Sequence, residues 1–292
     1  MSSKLTTQSI SKYYKKSTWD YLLFYRSAWH QQMHYGFSRN QPRDLNPMEN
    51  LVWYMAQVAE VGAGQLVLDA GCGLGGGSFI LNKKCQSRCV GISLVDTHMT
   101  YAYKKAQKQN LASRFIVADF HKAPFKKSNF DIIIAIESFD HAFDKEAWIK
   151  QMAGLLKPGG KLLIADGFRQ EGQGSQNEEE EYQKFLAGWA VPHLCTPAQV
   201  CIWAKNAGLK NFHHENLTEE ILPHAYNIYK FGSIALPVRK FLSRLGLGKS
   251  ELTGNAAATY YQYRTLRWGL WNYWFFGWER PIVDLGKSDS SF

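Results

Sequence analysis

The chain has 292 residues, of which 45% are hydrophobic, 20% charged and 14% aromatic, a balance that buries a core and excludes a disordered tail or a collagen-like rod. No stretch reaches the ~18 consecutive apolar residues of a membrane span, and the polar run from Met1 to Lys16 lacks the apolar centre of a secretory signal. A net charge of +9 raises nucleic acid, an anionic substrate or a membrane surface as partners without deciding among them.

Residues 1–50 are expected to form an N-terminal helical cap. Tyr14, Trp19, Tyr21 to Phe24 and Trp29 recur at three-to-four spacing, and Pro47 to Val61 reads as a helix. From Leu66 the pattern alternates. Gln65 to Asp69 reads as a buried strand, Gly71 to Gly77 as a glycine-rich turn and Ser78 to Lys84 as a helix. Cys89 to Leu94, Phe115 to Ala118, Phe130 to Ala135 and Lys161 to Ala165 read as further strands, with helices expected at Asp96 to Gln109 and Lys145 to Leu156. Strand and helix in this rhythm predict a parallel α/β sheet covered on both faces, with its strand C-termini on one rim, where ligands bind.

After Asp166 the rhythm breaks. Gly172 to Glu181 reads as an acidic loop, Thr196 to Ala207 as a helix, Leu209 to Glu215 as a strand and residues 216–255 as a basic helical lid carrying Lys230, Arg239, Lys240, Arg244 and Lys249. Between Tyr260 and Trp278, 10 of 19 residues are aromatic. Tyr260 and Tyr263 suit a helix edging a pocket, and Leu270 to Trp278 a terminal strand buried on both faces. The five cysteines show no paired CxxC spacing and read as reduced thiols of a cytoplasmic protein. His30 and His34 lie four apart, but no third ligand is suggested, so no metal site is expected.

Gly71-Cys72-Gly73-Leu74-Gly75-Gly76 follows a strand and opens a helix, so main-chain N–H groups can meet a ligand there. The string alone fits either GxGxxG or GxGxG. Its neighbours decide: Asp69 two residues before the first glycine, Ala118-Asp119-Phe120 after the third strand, Glu137 to His141 after the fourth, and Lys157-Pro158-Gly159-Gly160 before the fifth. Together these resemble the class I S-adenosylmethionine-dependent methyltransferases. With Trp29 to Phe37, Gly91 to Leu94 and Glu137-Ser138-Phe139-Asp140-His141, the chain is similar to the tocopherol and sterol C-methyltransferase-like group, whose relatives include prenyl and alkaloid methyltransferases.

The resemblance implies a Rossmann-like, doubly wound seven-stranded sheet with a helical cap and lid. It implies a cofactor-binding core over residues 51–215, the lid at 216–255 and a closing helix and strand at 256–292. Asp69, Gly71, Cys72 and Gly73 would hold the methionine end of S-adenosylmethionine. Asp119 would accept from the adenine amino group, with Phe120 and Ile136 packing beside the cofactor. Ser93 and Leu94 stand where many class I enzymes carry a ribose-gripping acid, which leaves that contact to Ser93 or to Gln31 and Gln32. Glu137 and His141 would face the acceptor as catalytic groups, in a pocket shaped by Tyr14, Trp29, His34, Tyr260 and Tyr263.

Each has a plainer alternative: Asp69 and Asp119 as turn caps, His141 as a packing group, Glu137 as a satisfied loop carboxylate. The aromatic excess suits a hydrophobic small-molecule acceptor, a prenyl or terpenoid chain or a prenylated indole; a phenol, quinol or other polar acceptor is the alternative. An NAD-dependent oxidoreductase and a non-catalytic cofactor-binding protein are the rivals from other classes. Nucleic acid is not expected, because the basic residues form no dense stripe. The lid cations would instead meet a diphosphate or an anionic membrane surface, and the aromatic cap leaves room for a homo-oligomer.

Overall fold

The computed structural model describes residues 6, 13–15, 31–172, 174–245 and 250–282. Trp29, His30 and the other cap residues at 16–30 lie outside the described residues. Helix α1 (Pro47–Val58) starts where the sequence dictates: the Asn46 side chain caps the Met48 and Glu49 amides, Glu49 reaches back in a capping box, and Pro47 needs no amide partner. It ends three residues before the expected Val61 because Glu60 takes a left-handed φ of 55°.

The sheet contains β1 (Leu66–Ala70), β2 (Arg88–Ser93), β3 (Ser113–Val117), β4 (Phe130–Ile136), β5 (Leu156–Arg169), β6 (Lys210–Asn216) and β7 (Trp271–Glu279). Their order is β3-β2-β1-β4-β5-β7-β6, and β7 runs antiparallel to both its neighbours. The connecting helices are α2 (Gly76–Cys85), α3 (Asp96–Lys108), α4 (Lys145–Leu155), α5 (Gln176–Gly188), α6 (Pro197–Asn206), α7 (Thr218–Arg244) and α8 (Ser250–Arg267). This is the expected doubly wound seven-stranded fold.

Period-two alternation sorts the central strands between two cores. Val67, Ile132, Ile134, Leu163, Tyr273 and Phe275 join the core under α1, α5, α7 and α8. Leu68, Ile133, Leu162, Ile164, Phe276 and Trp278 join the one under α4 and α6. Burial on both faces is why these strands read as unbroken apolar runs.

Two expectations are corrected. The acidic segment read as a loop through Glu181 is helical from Gln176. Ser175 caps the Glu178 amide while Glu178 returns to the Ser175 backbone, and the carboxylates of the first turn complement the helix dipole. Within the acidic run, Glu181 accepts from Arg264 Nε at 2.6 Å and Glu179 pairs with Arg169. The fifth strand starts at Leu156, so Lys157-Pro158-Gly159-Gly160 lies within it.

Candidate active site

A cleft of about 890 Å³, part of it open to solvent, lies along the C-terminal ends of β1, β2 and β4. There β1 pairs with β2 on one side and β4 on the other, the switch point at which open α/β sheets bind ligands. A second chamber of about 530 Å³ adjoins it and shares Tyr14, Gln32, Met33, His34, Glu137 and His141 as walls.

The floor is built by the glycine turn. Gly71 takes φ 93°, and a Cβ there would fall 2.4 Å from Ser138 Cβ. Glycine is therefore required where the β1 and β4 ends meet. Ser138 Oγ ties the two together by donating to the Ala70 carbonyl at 2.6 Å. Asp69 lies buried on the floor, accepting on Oδ2 from the Ser78 amide (3.1 Å) and hydroxyl (2.8 Å). Both donors are neutral, so burial pushes its carboxyl up to about 6. A cation entering the cleft would supply the charge this group lacks.

One wall is the loop at residues 31–35. The Gly76 amide donates to the Gln31 carbonyl at 3.2 Å, holding the loop against the α2 N-terminus. Burial lowers His34 to about 4, so its ring is neutral and carries one proton. Nδ1 lies 2.9 Å from the Tyr35 carbonyl, which only accepts, so the proton is on Nδ1. Nε2 then needs a donor; the Gln32 carboxamide reaches it with Oε1 at 2.9 Å, and turning that amide over would offer its NH₂ instead. That leaves one buried carboxamide atom of Gln32 without a partner inside the protein, in the cleft wall.

The roof is a helical turn at residues 13–15. Tyr13 donates to Asn255 Oδ1 at 3.3 Å, Tyr14 Oη lies 2.6 Å from His141 Nε2, and Lys15 pairs with Asp96 at 3.1 Å. Nδ1 of His141 faces the Ala190 carbonyl at 3.3 Å and so carries the proton, which makes Nε2 the acceptor from Tyr14. Asp140 Oδ1 lies 3.6 Å from the same Nε2 and is buried without a hydrogen-bond partner.

Glu137 occupies a left-handed φ of 46° at the β4 end and accepts on Oε1 from the Tyr35 amide (2.6 Å) and Tyr273 hydroxyl (3.0 Å). Burial outweighs both bonds and raises its carboxyl from 4.5 to about 8, with Asp140 adding like charge. Folding therefore stabilises its neutral form: the native state holds a proton that the unfolded chain has lost between pH 4.5 and 8. Its contribution to stability falls as pH rises through that window and is flat above it. Glu137→Gln is expected to abolish this part of the decline and to raise Tm at pH 8 relative to wild type. Parallel melting profiles with unchanged slope would contradict the assignment.

Most expected site residues meet here. Asp69, Gly71, Cys72, Gly73, Ser93, Leu94, Phe120, Ile136, Glu137, His141, Tyr14 and His34 all line the cleft. Asp119 sits between the lining residues Ala118 and Phe120, with Oδ1 accepting from the His121 amide at 2.9 Å and lying 2.7 Å from its ring Nδ1. Tyr260 and Tyr263 line neither chamber: they pack on Tyr229 of α7 with ring centroids 5.2 and 5.1 Å apart. Gly232 lets these helices approach, since a Cβ there would fall 2.6 Å from Thr259 Oγ1. Among the described residues no cluster could hold a metal ion. His98 and Met33 also line the cleft, and Trp189 the second chamber, without a sequence signal that marks them.

A doubly wound sheet with a glycine turn and a buried acid opening on its switch-point cleft defines a Rossmann-like cofactor-binding enzyme. The profile of the family described as a methyltransferase domain matches residues 62–220, and the chain belongs to that family. That domain is of the S-adenosylmethionine-dependent methyltransferase class.

Wheat (Triticum aestivum) phosphoethanolamine N-methyltransferase is 33% identical over 161 residues, 54% of this chain and 30% of the relative. A probable chloroplastic tocopherol O-methyltransferase of Oryza sativa subsp. japonica is 24% identical over 216 residues, 68% of this chain and 60% of the relative. The chain spans only 30–31% of the length of the first curated relatives it matches. Among solved structures, the (4+2)-cyclase SpnF superposes with TM-score 0.76 at 18% identity, covering 95% of this chain and 97% of that one. A geranyl diphosphate methyltransferase in complex with GPP and sinefungin gives 0.72 at 17% identity, covering 94% and 98%. At such identities these structures speak for the fold alone.

Proposed function

We propose that this enzyme methylates an uncharged, hydrophobic small molecule, an isoprenoid-derived one above all. One observation carries the reading: among the described residues, neither chamber is lined by a lysine or arginine. The second chamber presents Tyr35, Met48, Trp189 and Ile228 beside the carboxyl groups of Glu137, held neutral by burial, and Asp140. A phosphate or diphosphate placed there would meet no counter-charge among the described lining residues, at a high desolvation cost. This argues against the phosphoethanolamine and geranyl diphosphate of the relatives as acceptors for this chain.

The cleft residues fit the cofactor. Asp69, with Gly71, Cys72 and Gly73, would take the ammonium end, and its uncompensated buried carboxylate suits that cation. The unpartnered carboxamide atom of Gln32, with Ser93 and Leu94, would take the ribose hydroxyls. Phe120 and Ile136 would flank the adenine, with Asp119 at its amino group. S-adenosylmethionine, when bound, supplies an electrophilic methyl group on a sulfonium.

The protein's part is alignment and proton removal. Once the acceptor displaces the Tyr14 hydroxyl from its lone pair, His141 Nε2 would accept the proton lost by the acceptor, from a hydroxyl or amine, or from carbon after alkylation of an alkene. Tyr14 orients the ring from the roof, and Asp140 stabilises the imidazolium across 3.6 Å. Tyr35 and Trp189 offer aromatic faces to any positive charge developing on carbon.

The His141–Tyr14 pair favours a second reading, O-methylation of a phenol or quinol. Incubation with S-adenosylmethionine and a panel of prenyl, terpenoid, prenylated-indole and quinol acceptors should give a mass gain of one methyl group on a lipophilic member. Turnover of phosphoethanolamine alone would overturn the proposal.

A further inference from the structure

The cations of α7 do not serve the site, since none lines either chamber. They accompany an anomaly on the same helix. Leu236 faces the core at 5% exposure, while Ile234, Val238, Phe241 and Leu245 stand 72, 52, 61 and 57% exposed. Spacings of four and three put Ile234, Val238 and Phe241 in one row across Pro237, directed away from the core, and Leu245, one residue past the helix end, continues it. Scattered exposed apolar side chains need no explanation, but a contiguous row does. In helical projection Lys230 and Arg244 flank one edge of that row, and Lys240 lies farther round on the same side. Residues 221–250 carry five cations and no aspartate or glutamate. Among the described residues, Lys240 and Arg244 enter no ion pair.

We infer that the second half of α7 is a membrane-docking surface that lies on an anionic lipid bilayer. Charge complementarity selects this occupant. An apolar row bordered by lysine and arginine, with no acid for thirty residues, matches the boundary between acyl chains and anionic headgroups. A self-associating seam would bring the same cations of two copies together without acids to balance them. The helix lies on the surface and does not cross it, because no helix among the described residues is long and apolar enough to span. The inference stands apart from the acceptor's identity, although an enzyme acting on a lipophile gains by meeting it at a bilayer.

The full chain should co-sediment with phosphatidylglycerol–phosphatidylcholine vesicles at low salt and far less with phosphatidylcholine alone. The substitutions Ile234→Ser and Phe241→Ser together should abolish binding. Lys240→Gln with Arg244→Gln should weaken it roughly thirtyfold. Thermal shift with S-adenosylhomocysteine should be unchanged in all of them, which separates lost docking from lost fold or lost cofactor site. Failure of wild type to bind anionic vesicles, or binding unaffected by both variant pairs, would overturn the proposal. So would sedimentation velocity showing a dimer that Ile234→Ser and Phe241→Ser dissociate without any vesicle binding.

Discussion

Asp69→Asn should weaken S-adenosylhomocysteine binding about a hundredfold or more. Removing one partner of a buried, hydrogen-bonded charge pair costs roughly 2–5 kcal/mol, because the other charge is left without compensation. The substitution is nearly isosteric and keeps an oxygen able to accept from the Ser78 amide and hydroxyl, so the floor of the cleft is preserved. A pH arm identifies the group. In the empty cleft the Asp69 carboxyl stands near 6, and a bound ammonium favours its ionised form. Affinity should therefore be level above that pH and fall as pH drops below it, approaching about tenfold per unit. Asp69→Asn should bind weakly with this slope gone. Isothermal titration between pH 5 and 8 reads both effects, and wild-type affinity in the variant would contradict the cation-binding role.

His141→Ala is expected to lower kcat by about 10²–10⁴, the range typical of a positioned general base. Its affinity for S-adenosylhomocysteine should stay within about threefold of wild type, since the ring belongs to the wall shared by the two chambers and the cation-binding end lies at Asp69. Tyr14→Phe should cost less, about tenfold, because it removes one hydrogen bond to Nε2 and leaves the base in place. A rise in KM with unchanged kcat in His141→Ala would make the histidine a packing group.

The sheet was legible because its evidence is local: apolar runs of strand length, separated by helical segments and a glycine turn, admit few arrangements. The floor of the cleft was legible for the same reason, since Asp69, Gly71, Ser93, Phe120 and Glu137 all follow from where strands end. Contacts between distant segments were less so. Nothing near Tyr273 in sequence announces that its hydroxyl reaches Glu137 across 136 positions. Tyr260 and Tyr263 show the converse: the aromatic face of a helix reads equally as a pocket edge or a seam between helices, and Tyr229 of α7 takes the seam. The helix at Gln176 was announced by Ser175 and Glu178, a capping box that the charge run of the acidic segment obscured.

Net charge was ambiguous for a related reason. A sum over the chain carries no position, and only the folded structure separates the outer-face cations of α7 from a cleft without lysine or arginine among its described lining residues.

The acceptor chamber is expected to receive an uncharged lipophile. The most direct measurement is kcat/KM for a matched pair of acceptors, an isoprenoid alcohol and its diphosphate, at fixed saturating S-adenosylmethionine. A chamber with no lysine or arginine among its described lining residues should prefer the alcohol by at least about a hundredfold, the cost of desolvating an unpaired anion. Preference for the diphosphate would contradict the account.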